Sequence, residues 1–389
     1  MNKNIAVFTI YEDKYVLMHI VGQKAENIYI YDSLSQGDIG AVINCRTESR
    51  VDNIDSCFVK YSQKLTGFIN KSIKCETVLP LMYKKEPYKD KKALFTDRIT
   101  IDGKYVVVTR GKEVIRASSK ADPEEKKQYI NVFTEIAAGS GNDVILRTST
   151  FTEEDGLEKA KEEYILIRDK LSEIYEKSRH VPQYTVLYRP LPGFIKDVLY
   201  LSELGIEEVV TDRPDIEKAL CEKYEGISGP VTVTDRVRLR MYDDSILGLT
   251  ACYALKAKIS EMLSRKVYLK SGAYITIDET EALTAVDVNS AGCVFNSDDP
   301  EETFLGINRE AAIETARQIR LRNISGMIII DFINMKKSED YDTLRECITI
   351  SLAEDRTCAR FVDFTGLHLA EIVRSRTGRT LYQNLRRQI

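Results

Sequence analysis

The chain has 389 residues, 43% hydrophobic and 30% charged, with a net charge of −4, so it exceeds one ordinary core and two to four domains or subdomains are expected. That balance excludes a surface coated in positive charge, while leaving room for local basic patches. No run of ~18 apolar residues is present, so no membrane span is expected.

Residues 1–35 read as short strands ("NIAVFTI", "KYVLMHI", "NIYIYDS"), and residues 38–75 continue in the same way. Short strands separated by turn residues predict a small barrel. A lysine-rich stretch follows, with Lys84, Lys85, Lys89, Lys91 and Lys92, and then a strand pair in "GKYVVVTRGKEVIRAS". A helix is predicted from Asp122 as N-cap, with Pro123 first and Glu124 and Glu125 at its positive end. "NDVILRTST" reads as a strand, and a long helix is predicted after it, with Thr152 and Asp155 as a capping box. Its stripe of Leu157, Ala160, Tyr164, Ile167, Leu171 and Ile174 reads as core packing.

From 184 the pattern turns α/β. Arg236, Arg238 and Arg240 alternate along one predicted strand and read as a solvated face. Residues 270–282 read as a hairpin leading into "LTAVDVNSAG". A long helix follows, then the strand "GMIIIDFIN", a charged helix and a basic end. The eight cysteines are scattered with no C-x-x-C pair, which suggests reduced thiols, and "MNKNIAVFTIYEDKYVL" lacks the features of a signal peptide; a cytoplasmic protein is expected. With three histidines, carboxylates and a metal are an easier route to hydrolysis than a histidine pair.

Asp287 and Asp331 each interrupt an apolar strand, and one helix separates them. The continuous apolar runs predict strands covered on both faces, with the aspartates poorly solvated. A strand–helix–strand unit predicts that the two strands lie parallel in one sheet and bring the carboxylates to one edge. Two readings remain open. Each aspartate caps a loop or helix, or the two share a hard divalent cation such as Mg²⁺, with Asn289 on the same strand face as Asp287. No G-x-x-x-x-G-K-[ST] phosphate loop is present.

"SGAYITIDETEALTAVDVNSAG", "EETFLGINREAAIETARQIRLRNISGMIIIDFINM" and "LHLAEIVRSRTGR" resemble the catalytic half of the ribonuclease E/G family, most closely over 264–335. The resemblance implies an α/β multi-subdomain fold. A ribonuclease-H-like subdomain (1–35 and 186–262) is interrupted by an S1-type OB fold (36–104) and a 5′-sensor region (105–185). A deoxyribonuclease-I-like catalytic subdomain (263–389) follows. It implies an endoribonuclease of RNA processing and mRNA decay that cuts single-stranded, AU-rich RNA with Mg²⁺ (or Mn²⁺), leaving 5′-phosphate and 3′-hydroxyl ends. By the same resemblance, Asp287 and Asp331 hold the metal and Asn289 supports them. Phe58 and Phe68, with Lys91 and Lys92, contact RNA, and Arg147 and Thr148 sense a 5′-monophosphate.

Three departures stand out. "ASSK" replaces a more basic string beside the sensor, the C-P-x-C zinc-link motif is missing, and His368 stands where a glycine is usual. His368 reads as a packing change, and the missing motif means either that the chain is a piece of a longer protein or that a homodimer forms another way. The rival reading is a non-catalytic RNA-binding protein on the same scaffold.

Overall fold

The computed structural model describes residues 3–34, 39–51, 54–87, 92–118, 121–226, 229–291, 300–357 and 359–385. Two compact units emerge: 1–34, 197–220 and 234–389 form the first, and 35–196 with 221–233 the second. Strands β1 (Asn4–Tyr11), β2 (Lys14–Val21) and β3 (Lys24–Tyr31) form an antiparallel meander in the first unit. Glu12 and Asp13 both take positive φ, as in the two-residue turns whose twist matches that of the flanking strands.

In the second unit, β4 (Val42–Val51), β5 (Ser56–Lys60), β6 (Thr66–Ile69), β7 (Val78–Lys85) and β8 (Ala93–Thr96) close into an OB-like barrel. The ring runs β4-β5-β6-β8-β7 and returns to β4, so no edge is left open. A second sheet is built from β9 (Thr100–Asp102), β10 (Val106–Arg110) and β11 (Ile115–Ala117). Helix α1 (Pro123–Ala137) follows, and β12 (Asn142–Leu146) completes that sheet between β10 and β11. The Asp122 carboxylate accepts from the Glu124 and Glu125 amides, as the sequence predicts for an N-cap.

The predicted capping box does not form. A short helix, α2 (Ser149–Thr152), ends first, and α3 (Gly156–His180) starts after Asp155, which has positive φ and no capping bond. The chain doubles back so tightly that a Cβ on Gly156 would meet the Thr150 carbonyl oxygen at 2.4 Å. The α3 stripe is core, as expected: Ala160, Tyr164, Ile167, Leu171 and Ile174 pack with β10 and β12.

Strand β13 (Val186–Tyr188) pairs with barrel strand β4, so 186–196 groups with the second unit rather than with the first sheet, where it was expected. Helix α4 (Gly193–Glu203), β14 (Glu208–Thr211), α5 (Pro214–Cys221), the pair β15 (Tyr224–Gly226) and β16 (Gly229–Val231), and β17 (Arg238–Met241) follow. Strands β14 and β17 add parallel to β1, giving the order β17-β14-β1-β2-β3. Arg236 lies before β17, so the three arginines do not share one strand face. Arg240 is no solvated side chain either, because it grips Glu208 on β14 at 3.0 and 3.1 Å.

Helices α6 (Leu249–Cys252) and α7 (Leu255–Leu263) lead to the last sheet, also in the first unit. Its elements are β18 (Lys266–Tyr268), β19 (Tyr274–Glu279), β20 (Leu283–Asn289), α8 (Pro300–Arg322), β21 (Gly326–Asp331), α9 (Ser338–Ala353), β22 (Ala359–Phe364) and β23 (Ala370–Arg374). The short α10 (Leu381–Leu385) follows. Strands β20 and β21 run parallel, as predicted from the strand–helix–strand pattern, and the other neighbours pair antiparallel.

One face of this sheet (Ile275, Ile277, Val286, Val288, Ile328, Ile330) is buried with Ala311, Ala312, Ala316 and Ile319 of α8 and Leu344 and Ile348 of α9. Small alanines let the helix approach closely. Within this core Asn308, fully buried, donates to the Ile333 carbonyl at 2.8 Å and accepts from the Ile333 amide at 3.0 Å. It pins the chain two residues beyond Asp331.

Two stability measurements follow from these contacts. Asn308→Ala leaves a half-buried backbone donor and acceptor without their partner, so urea denaturation is expected to show a loss of about 1–3 kcal/mol; an unchanged midpoint would remove the clamp. His19 is buried in β2 and donates from Nε2 to Asn4 while Nδ1 accepts from Asn27, the neutral tautomer. Burial pushes its pKa down from 6.5 to about 4. Below pH 6.5 the unfolded chain takes up a proton that the fold refuses until pH nears 4, so stability falls across that window. Between pH 7 and pH 5 this amounts to about 2 kcal/mol, and His19→Gln is expected to lose that much less than wild type over the same interval. Equal losses in both proteins would acquit His19.

Candidate functional site

Asp287 and Asp331 are directly paired in the parallel ladder of β20 and β21. Neighbouring strands lie about 4.8 Å apart, so the two side chains rise side by side from one face. Both are exposed. This corrects the expectation of strands covered on both faces. Thr284, Val286 and Val288 point into the core, while Ala285 and Asp287 point to solvent, and Met327 on β21 is 53% exposed. The apolar run in the sequence came from side chains on the open face as well as the buried one. The carboxylates are therefore solvated, and what constrains them is mutual repulsion rather than desolvation.

Asn289 Nδ2 reaches Asp287 Oδ2 at 3.5 Å, and Thr276 of β19 stands directly opposite Asp287. Arg265, which no sequence motif marks, is held by Asp278 through Nε at 2.5 Å and Nη2 at 2.7 Å. That bond raises its pKa above the ordinary arginine value, with the charge of Asp287 adding a smaller pull. A fixed cation thus sits within electrostatic reach of the carboxylate pair.

The donor set suits a hard divalent ion. Mg²⁺ takes oxygen ligands, needs only one or two protein carboxylates and keeps its remaining positions for water and phosphate. Two adjacent aspartates with an amide beside them supply that chemistry, and a cation between them would relieve their repulsion. Among the described residues, no group of three or more His, Cys, Asp or Glu is poised to hold a metal.

Helix α8 also holds the neighbouring loop. Glu310 accepts from the Lys270 and Ser271 amides at 2.5 and 3.1 Å, fixing the β18–β19 turn. His368 has φ +64 and stacks on Tyr341 with centroids 4.7 Å apart. A left-handed position of that kind favours glycine, which explains why glycine fits there, and the imidazole is held by packing.

In the second unit Phe58 and Phe68 face each other across β5 and β6, with centroids 5.5 Å apart. They are half-buried, while Cys57, Val59 and Ile69, which alternate with them along the two strands, are core, so the rings lie on the outer barrel face. Lys92 Nζ sits 4.7 Å from the Phe58 centroid. Lys91 lies outside the described residues.

Arg147 and Thr148 line an open pocket with Asp102, Val107, Ser118 and Ile145. Thr148 and Ser118 hydroxyls are bonded at 2.9 Å, so Ser118 of the "ASSK" string lines the pocket beside Thr148; Ser119 and Lys120 lie outside the described residues. Arg147 donates through Nη1 to the Gly103 carbonyl at 2.9 Å. That turn is held by Glu163 of α3, whose carboxylate accepts from the Lys104, Tyr105 and Val106 amides at 2.8, 2.7 and 3.0 Å. A Cβ on Gly103 would meet this carboxylate at 2.2 Å. The available signal was a glutamate set inside the apolar stripe of α3, beside Tyr164 and a turn from Ala160 and Ile167.

Among the described residues, no helix is long and apolar enough to cross a membrane. A sequence model described as the Ribonuclease E/G family matches residues 100–377. The chain is 31% identical to a ribonuclease E of Synechocystis sp. over 82% of its own length and 47% of the relative's. It is 27% identical to a ribonuclease G of Haemophilus influenzae over 76% of this chain and 59% of the relative. To a ribonuclease G of Escherichia coli it is 26% identical over 75% and 58%. The chain spans about half the length of the curated relatives it matches. With paired carboxylates on one ladder, an OB-like barrel and these matches, the chain belongs to the ribonuclease E/G family.

Proposed function

We propose that this protein is an endoribonuclease that cuts single-stranded, AU-rich RNA in RNA processing and mRNA decay, leaving 5′-phosphate and 3′-hydroxyl ends. The observation that carries this reading is the in-register pairing of Asp287 with Asp331 on an open sheet face. Asp287 and Asp331 would hold Mg²⁺, with Mn²⁺ as the natural substitute, and Asn289 would orient the Asp287 carboxylate. When bound, the ion would neutralise charge on the scissile phosphate and make water a better nucleophile. Arg265, anchored by Asp278, adds positive potential beside the phosphate.

On this reading the first sheet is a ribonuclease-H-like subdomain, interrupted by the S1-type OB barrel and the sensor region, and the last sheet is the deoxyribonuclease-I-like catalytic subdomain. Phe58 and Phe68 stack bases while Lys92 and Lys91 meet the backbone, each stacked base contributing ~1–3 kcal/mol. Arg147 and Thr148 recognise a 5′-monophosphate by charge-assisted bonds. Asp102 lines the same pocket and opposes that charge, so the stimulation is modest. A homodimer in the cytoplasm completes the proposal. The Phe58–Phe68–Lys92 cluster favours one rival, an RNA-binding protein without turnover, because that cluster is assembled independently of the aspartates.

A time course on a 5′-labelled AU-rich oligonucleotide separates the two. Cleavage is expected with Mg²⁺, is lost on adding EDTA, and falls by at least about 100-fold in Asp287→Asn and Asp331→Asn, the scale of losing a metal ligand or its orienting partner. Undiminished cutting by both variants would sink the site, and tight binding without cutting by wild type would establish the rival. In the same assay the ratio of 5′-monophosphate to 5′-hydroxyl rates is expected to exceed one and to collapse to one in Arg147→Gln. A ratio unmoved by that substitution would remove the sensor.

A further inference from the structure

Two tyrosines stand beside the carboxylates on the open face of the last sheet, and the chemistry above does not use them. Tyr274 pairs directly with Asn289, and Tyr268 pairs directly with Tyr274. Directly paired residues share a face, so both rings rise from the side that carries Asp287 and Asn289. Their centroids are 6.1 Å apart with planes tilted by 58°. Lys266 Nζ lies 3.4 Å from the Tyr274 centroid and 4.8 Å from that of Tyr268. The next row of the ladder reads Lys266, Thr276, Asp287, Asp331, so Lys266 is rooted in the row that carries the carboxylates and leans over the tyrosine row.

Tyr268 is 70% exposed. Strand β18 is the edge of its sheet, and a lysine there has a structural purpose, since edge charges discourage pairing with another chain. Edge protection explains Lys266 but not a large aromatic ring held in water and oriented by a second ring and a cation. A site lined by two carboxylates repels the phosphates of its own substrate, so attraction has to come from neighbouring contacts. Diagonal neighbours on a sheet lie about 7–8 Å apart, which sets the Tyr274 row within a nucleotide's reach of Asp287.

We infer that Tyr268, backed by Tyr274 and flanked by Lys266, is a stacking platform for the base of the nucleotide next to the scissile phosphate. The platform rests on the endoribonuclease reading for its role and is a positioning element: it touches the substrate base, not the reacting atoms. Its ring accepts any base, because every base has a π face, while Lys266 meets the adjoining phosphate.

The test is a double perturbation. A single-stranded oligoribonucleotide carries one abasic position, walked across the cleaved bond, and is given to wild type, Tyr268→Ala and Tyr268→Phe. Tyr268→Ala is expected to lower kcat/KM about tenfold, through KM rather than kcat, and Tyr268→Phe to restore it. For wild type, one abasic position next to the bond costs the same factor; for Tyr268→Ala that position costs nothing further. Penalties that add, or cleavage unchanged by Tyr268→Ala, overturn the platform. The same oligonucleotides are titrated by fluorescence anisotropy against Asp287→Asn chains with and without Tyr268→Ala, and the same non-additivity is expected in Kd. Binding that shows it without cleavage by wild type sinks the nuclease reading and keeps the platform. Cleavage with additive penalties does the reverse, and a chain that neither binds nor cuts overturns both.

Discussion

The parallel ladder between β20 and β21 decides which side chains share a face, and the candidate site is a consequence of that register. Val286 and Val288 on one strand, with Ile328 and Ile330 on the other, are sealed under α8 and α9. Strand side chains alternate with period two, so a slip of one residue would drive Asp287 or Asp331 beneath those helices. An unpaired carboxylate there costs several kcal/mol. Apolar burial on one face therefore holds the acidic pair in water on the other, and the same register lines up Thr276, Asn289 and the two tyrosines beside it.

A second constraint recurs in both units. A polar side chain set into a helix's apolar stripe reaches out to satisfy the backbone of a neighbouring turn, and that turn lies beside a candidate residue. Glu163 does this for the turn whose Gly103 carbonyl receives Arg147. Asn308 does it for the chain just past Asp331. Buried backbone groups must find partners, so each interaction is strongly favoured, and the geometry of the turn is set from inside the core rather than from solvent. Aromatic pairs show a parallel economy of means. Phe58 with Phe68 and Tyr268 with Tyr274 are both cross-strand pairs with a lysine over a ring.

Much of this was legible in the residues. The Asp122 cap is a local interaction between neighbours in the chain, and the short barrel strands and the two apolar strands around one helix carry their own periodicity. The failures have physical causes. Thr152 and Asp155 have the spacing of a cap, but Gly156 lets the chain fold back on Thr150, and a separate helix forms. Arg240 reads as exposed until Glu208, distant in sequence, is brought alongside it. Tyr268 and Tyr274 look like ordinary strand residues, because nothing local says which of their faces stays open.

Phe58 and Phe68 were pointed to by the family resemblance alone. By itself the sequence determined most of the strands and helices around the site, and that Asp287 and Asp331 belong to equivalent strands flanking one helix. These follow from periodicity and from short-range steric preferences that neighbouring residues set. Only the tertiary structure decided that the aspartates face water, that they stand directly opposite one another, and that Asn308, Glu163, Arg265 and the tyrosine pair lie around the candidate residues. A strand's exposed face is whichever one no helix covers, and α8 and α9 are packed there by contacts between residues far apart along the chain.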